Sequence, residues 1–217
     1  ATSDFPLNQW VHVALVRYGT TGYMFQNGTQ VATWSGDSTD IAAPDTAGLY
    51  IGEDTRSSSS YPWDGFISNL RVLKGTALYT GSYTTPTSPL TAITNTKLLT
   101  CCSNRHRDKS TSAHVINSVN SVTNKNGPAI QPFAPFAPSS SYSAASKGGS
   151  GFFDQTSDCY FDVSDATDFD FGTGDYSVEM WVYPTTTFNT NWAMAFNTIG
   201  VNQYWAWTDG GGNEAAA

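Results

Sequence analysis

Charge is scarce in this sequence, and basic charge is missing from its last third. Charged residues make up 13% of the 217. All ten Lys and Arg lie at or before Lys147, alongside eight acids, whereas residues 148–217 carry ten acids and no base, so the two parts hold net charges of +2 and −10. An acidic surface repels a phosphate backbone, which excludes nucleic acid as a partner. Long apolar runs are also missing. No stretch approaches the roughly 18 consecutive apolar residues of a membrane helix, so no membrane insertion is expected. Cysteine is sparse: Cys101, Cys102 and Cys159 make an odd count, and adjacent cysteines are poorly placed to bridge each other. Buried reduced thiols, or one long-range pair with Cys159, remain. A chain of this length buries a sizeable core without disulfide staples.

What is abundant is aromatic and turn-forming: aromatics are 14% of the chain, with 19 Gly and 10 Pro. That composition suits many short strands joined by turns. Residues Gln9–Arg17 read as a strand ending at Tyr18-Gly19-Thr20-Thr21-Gly22. Tyr23–Gln26 and Thr29–Trp34 flank Asn27-Gly28, the strongest short hairpin signal, because a type I′ turn needs positive φ at both central residues. Leu49–Gly52 and Gly65–Leu73 read as two further strands with an exposed Ser-rich loop, Glu53–Tyr61, between them. Strict alternation in the second puts Phe66, Ser68, Leu70 and Val72 on one face and Ile67, Asn69, Arg71 and Leu73 on the other.

Residues Gly81–Thr96 are rich in Thr, Pro and Ser and cannot hold a continuous ladder, so they cover or connect. Lys97–Cys102 resumes a strand and would place its two thiols on opposite faces. The composition of Gln131–Gly151, with three prolines followed by a Ser/Gly run, is that of a linker. Cys159–Val163, Tyr176–Tyr183, Trp192–Phe196 and Gln203–Trp207 are four more strand candidates. Strands on both sides of the Pro/Ser-rich stretch and no convincing helix predict an all-β antiparallel sandwich.

The run Leu7-Asn8-Gln9-Trp10-Val11-His12-Val13-Ala14-Leu15-Val16-Arg17, with Phe25-Gln26-Asn27-Gly28, Leu49-Tyr50-Ile51-Gly52 and Asp64–Val72, resembles the C-terminal half of a laminin-G-like, concanavalin A-like jelly roll. Its continuation Lys74-Gly75-Thr76-Ala77-Leu78-Tyr79-Thr80, with Thr85–Thr91, resembles the variant found in structural proteins of tailed phages, notably of aquatic hosts. Ser150–Asp154, Asp168–Tyr176 and Val178–Pro184 resemble the N-terminal half of the same module. The halves stand in reversed order: 1–96 as the end of one module, 97–149 as an opening strand and connection, 150–217 as the start of a following one. The chain is either an excerpt from a tandem array, the preferred expectation, or one jelly roll in permuted order. Sheet edges opened by such a cut need a partner, so the two halves are expected to pack together.

The resemblance implies a non-enzymatic structural module of a virion (tail fibre, appendage or capsid surface), with other virion subunits and its own copies as partners. A glycan-binding adhesin is the alternative and a glycoside hydrolase the second. Hydrolysis needs two carboxyl groups a few ångströms apart, most simply at alternate positions of one strand. Glu179 is on a suitable strand, but positions 177 and 181 are Ser and Trp. Calcium is a cofactor that such modules often hold, yet Asp168, Asp170 and Glu179 fail the calcium-loop pattern at Gly172 and Thr173. The zinc-like set Cys101, Cys102, His106 and His114 lacks a spaced cysteine pair. His12 is read as packing, and Arg105-His106-Arg107 as a solvated loop. Carbohydrate stacking points to Tyr61 and Trp63 beside Pro62, against the alternative that Trp63 folds inward as core. Trp205 and Trp207 share a strand face, so both are core or both exposed. Asn27-Gly28-Thr29 meets the glycosylation pattern, but its hairpin already explains it.

Overall fold

A computed structural model describes residues 6–41, 49–52, 62–119, 127–136, 147–154, 159–164, 167–186, 193–198, 204–207 and 215–216. Among these the chain is all-β, with no helix. The strands are β1 (Val11–Tyr18), β2 (Thr21–Gln26), β3 (Thr29–Ser35), β4 (Leu49–Ile51), β5 (Asp64–Lys74), β6 (Thr96–Thr100) and β7 (Ile116–Val119). They continue as β8 (Ala129–Gln131), β9 (Ser150–Asp154), β10 (Tyr160–Val163), β11 (Tyr176–Pro184), β12 (Ala193–Thr198), β13 (Tyr204–Trp207) and β14 (Ala215–Ala216). One sheet runs β3-β2-β1-β11-β5-β9-β8, with β6 also on β5; the other runs β14-β13-β12-β4-β10-β7. Every pairing is antiparallel. The architecture is an antiparallel β-sandwich of the concanavalin A-like jelly-roll type.

The segments that resemble two different half-modules share both sheets. β11 lies between β1 and β5, β9 borders β5, and β4 lies between β10 and β12. β1 shows why the sequence folds this way: Val11, Val13 and Leu15 enter the core between the sheets, while Ala14 and Val16 point to the outer face. Opposite them the second sheet contributes Leu49, Ile51, Phe161 and Val163, and Trp63, Phe169 and Phe171 close the ends of the same core. Burying each large side chain contributes about 1.5–3 kcal/mol. The β2–β3 hairpin turns at Asn27 (φ 48°) and Gly28 (φ 76°), as its sequence requires.

Two expectations are corrected. Strict alternation along β5 fails because Asn69 adopts φ 52° in a β-bulge: Glu179 pairs with Arg71 but Trp181 with Ser68, so Asn69 and Leu70 together oppose Met180. The extra residue flips the parity, and Ile67, Leu70 and Val72 all reach the core while Phe66 and Arg71 face outward. The linker composition of Gln131–Gly151 is also overruled where that stretch is described. β8 and β9 pair with each other, Phe136 is buried, and Phe133 packs on Trp10, Phe66 and Tyr183. β7, in the polar stretch before it, pairs with β10. These strands are short and weakly patterned, so neighbours rather than local propensity hold them.

Residues 75–95, the Thr/Pro/Ser-rich stretch and the Lys-Gly-Thr-Ala-Leu-Tyr motif before it, form a strap over the outer face of the larger sheet. It is tied down along its length. Gly75 N–H donates to Asp175 O, Leu78 N–H to Ser177 Oγ, Tyr83 N–H to Gly28 O and Leu90 N–H to Asn69 Oδ1. The bulge residue thus anchors the strap's far end. At Gly28 the strap passes so close that a Cβ would stand 2.0 Å from Tyr83 O.

Candidate functional site

Under the strap, the outer face of β1, β11 and β5 carries a buried polar network centred on Glu179. The bulge at Asn69 brings Arg71 beside it: Arg71 Nε donates to Glu179 Oε1 at 2.8 Å and Nη1 to the strap carbonyl of Thr91 at 2.8 Å. Tyr79 of the strap donates its hydroxyl to Glu179 Oε2 at 2.9 Å, and His12 Nε2 lies 3.3 Å from the same oxygen. Tyr83 completes the set, its hydroxyl 2.9 Å from His12 Nδ1 and its ring stacked 3.5 Å from Tyr79. Glu179 is 1% exposed and His12 0%. Such a network is favourable only because each charged atom has a partner.

The protonation states follow from this packing. Burial alone would raise the Glu179 carboxyl, but hydrogen bonding to His12 and the Arg71 charge outweigh it and hold the group below its ordinary value. Burial, then the Glu179 charge, pushes the Tyr79 hydroxyl well above the ordinary tyrosine value. Burial raises Tyr83 in the same way, followed by Tyr79 and Glu179. Tyr79 is therefore a fixed donor and Glu179 a fixed acceptor at neutral pH. Beside Glu179 in register stand Ala14 and Arg71, and the same face of β11 carries Ser177 and Trp181. None of these is a second carboxyl group.

Other buried charges act likewise as braces. Arg17, 0% exposed at one end of the core, donates to the carbonyls of Thr39, Gly172 and Gly174 and stacks over Tyr176. Asp108 accepts from the backbone N–H groups of Leu99, Ser110 and His114 and from the Ser110 hydroxyl. Asp168 pairs with Lys97 at 2.7 Å, accepts from Ser112, and lies 3.2 Å from His114 Nε2. Burial acts to raise its carboxyl, but the Lys97 and Ser112 hydrogen bonds prevail and lower it.

Asp168 and Glu179 are thus already engaged by protein cations and lie in different networks, and Asp170 is exposed. These three residues do not fit a calcium ion. Among the described residues, no three His, Cys, Asp or Glu side chains converge as metal ligands. Cys101, Cys102 and Cys159 are buried and form no disulfide among the described residues. Cys101 joins the main core, whereas Cys102 packs on the other side with Leu90 and Leu99. Burial pushes the Cys101 thiol up to about 12. His106 packs against Phe161, away from any such set, and the Arg105–Arg107 cluster is exposed.

Of the two residues proposed for ligand stacking, Trp63 is among those described. Trp63 takes the inward alternative, 1% exposed in the main core, and offers no ring face to a ligand. Tyr61, the rest of the Ser-rich loop and the Trp205 and Trp207 side chains lie outside those described. The sequence reading missed an aromatic pair on the outer face of the six-stranded sheet. Tyr50 of β4 and Tyr160 of β10 have ring centroids 4.5 Å apart, both half-buried. Asp162 is opposite Tyr50 in register, and Asn117 of β7 donates to its carboxylate at 3.4 Å. Alternation in Leu49-Tyr50-Ile51 and Tyr160-Phe161-Asp162-Val163 carried the signal, since each polar or aromatic residue sits between core residues.

The comparison with protein families agrees with this fold. Residues 1–78 match the concanavalin A-like lectin/glucanases superfamily. The match spans β1 to β5 and the first residues of the strap, and the chain is similar to that superfamily over those residues. No curated protein and no solved structure matches the chain.

Proposed function

We propose that this chain is a non-enzymatic structural and interaction module of a phage virion, a tail-fibre, appendage or capsid-surface component that joins other virion subunits and copies of itself. The observation that carries this reading is the strap. The residues that resemble the tailed-phage variant, Lys74–Thr80 and Thr85–Thr91, are those that seal the outer sheet face and turn its buried carboxylate, Glu179, into a brace. A module whose charges are spent on cross-bracing is suited to rigid display, with loops at its ends free to vary. This role needs no cofactor. Gradient sedimentation of the native source with peptide mass spectrometry tests it: peptides of this chain should co-migrate with a virus-sized particle, and a free soluble species alone would overturn the proposal.

A second reading, glycan binding, is favoured by the Tyr50–Tyr160 pair beside Asp162 and Asn117. An aromatic face with a carboxylate and an amide is the composition that stacks on a sugar ring and orients its hydroxyls. A glycan-dependent rise in melting temperature that disappears in Tyr160→Ala would support it. The hydrolase alternative requires turnover on a polysaccharide panel that is abolished in Glu179→Gln.

A further inference from the structure

Arg17 follows the apolar run of β1 and is 0% exposed, so its charge and its fork of N–H donors have to be matched inside the protein. Main-chain oxygens match them. Nε donates to Gly174 O at 2.9 Å, Nη1 to Thr39 O at 2.7 Å and Nη2 to Gly172 O at 2.5 Å, while the Tyr176 ring covers the guanidinium at 5.1 Å. These carbonyls belong to two connections, the one that follows β3 and the one that leads into β11, which lie in the segments resembling different half-modules. The connections also hold each other: Ile41 N–H donates to Gly172 O, and the Phe171 and Gly172 N–H groups donate to Ile41 O. Arg17 is therefore a single charge on which both halves of the chain converge.

Calcium, the cofactor that the family resemblance implies, ties such connections together through about six to eight oxygen ligands at roughly 2.3–2.6 Å. The oxygens of this rim are already engaged. Asp37 Oδ1 accepts from Thr39 N–H and Oδ2 from the Trp34 indole, and Asp175 Oδ1 accepts from Gly19 N–H. Burial acts to raise the Asp37 carboxyl, but the Thr39 and Trp34 hydrogen bonds and the Arg17 charge prevail and lower it. A metal ion in the cradle would have to stand where the guanidinium stands, and that charge is covalently attached and permanent. The residues present do not fit calcium there. They fit a planar cation whose donors point to separate acceptors.

We propose that Arg17 is the resident cation of this rim: its guanidinium fills the carbonyl cradle of Thr39, Gly172 and Gly174 and clasps the two connections in place of calcium, which makes the cradle a site selective for a guanidinium ion. This inference is independent of the virion role. The test follows the melting temperature of the full chain. Adding calcium to wild type, or chelating it with EGTA, should leave that temperature unchanged. Arg17→Ala, which removes everything beyond Cβ, should lower it by about 5 °C or more, because the carbonyls lose their buried partner. Ethylguanidinium, the part removed, should restore the variant and raise its folded-to-unfolded ratio roughly tenfold at about ten times its dissociation constant, whereas calcium and ethylammonium should not. A calcium-dependent shift in wild type, an Arg17→Ala chain as stable as wild type, or a variant that ethylguanidinium fails to restore overturns the proposal. Should Arg17→Ala not fold unaided, its refolding yield with ethylguanidinium against its yield with calcium is read instead, and no gain with ethylguanidinium counts against the proposal in the same way.

Discussion

Replacing Glu179 with Gln leaves the Arg71 guanidinium buried with no counter-charge. Arg71 is 7% exposed, and the other members of the network supply no counter-charge, since His12 and Tyr79 are turned toward the same carboxylate. Breaking a buried pair from one side costs about 3–5 kcal/mol, because the remaining charge is not rehydrated. For a domain of this size that corresponds to a fall in melting temperature of about 6–20 °C. Urea denaturation followed by tryptophan fluorescence measures it, and limited proteolysis reports whether the strap, deprived of the acceptor for Tyr79, opens first. The Arg71→Met/Glu179→Leu double variant removes both charges and should recover part of the loss, since an apolar pair of similar volume replaces an ion pair at little net cost. The reasoning is refuted if Glu179→Gln lies within about 0.5 kcal/mol of wild type, the usual range for surface changes, or if the double variant loses the sum of its two single changes.

Acid should unfold the protein through the same groups. Glu179 and Asp168 are held below their ordinary values when folded, so the stability they contribute is full above those values and is lost as pH falls through the lowered ones. A pH series of urea midpoints should be flat near neutrality and drop below the carboxylate range, and Glu179→Gln should flatten that drop. The three buried thiols should resist a thiol reagent at neutral pH in the folded chain and react at once in denaturant, with Cys101, raised to about 12, the slowest; rapid native labelling of all three would contradict the packing. Gly28→Ala should destabilise by about 1–3 kcal/mol or more, since it adds a side chain both at positive φ and against the strap carbonyl of Tyr83; an unchanged denaturation midpoint would show that the strap does not press on the hairpin.

Much of the sandwich is legible locally. The alternation of Val11, Val13 and Leu15, the Asn27-Gly28 turn and the alternation of Tyr176, Val178, Met180 and Val182 each contain their own structural instruction within a few residues. The candidate site is not legible in that way. Glu179 and Arg71 are 108 residues apart, and Tyr79 reaches Glu179 across 100. Alternation even assigned part of β5 to the wrong face, because whether Asn69 takes a left-handed bulge depends on what its side chain finds, here Ser68 and Leu90 N–H.

The sequence by itself determined the class of fold, since periodicity two, turn chemistry and a large aromatic content leave few alternatives to stacked antiparallel sheets. It also determined that Gly81–Thr96 must cover or connect, because proline cannot donate to a ladder. Only the tertiary structure decided what is covered. Burying Glu179, sending Trp63 inward, pairing Asp168 with Lys97 and folding Phe136 and Phe133 onto Trp181 and Tyr183 all depend on charges and rings brought together from distant parts of the chain. The cost of an unpaired buried charge or donor depends on every neighbour at once, and no local pattern encodes it.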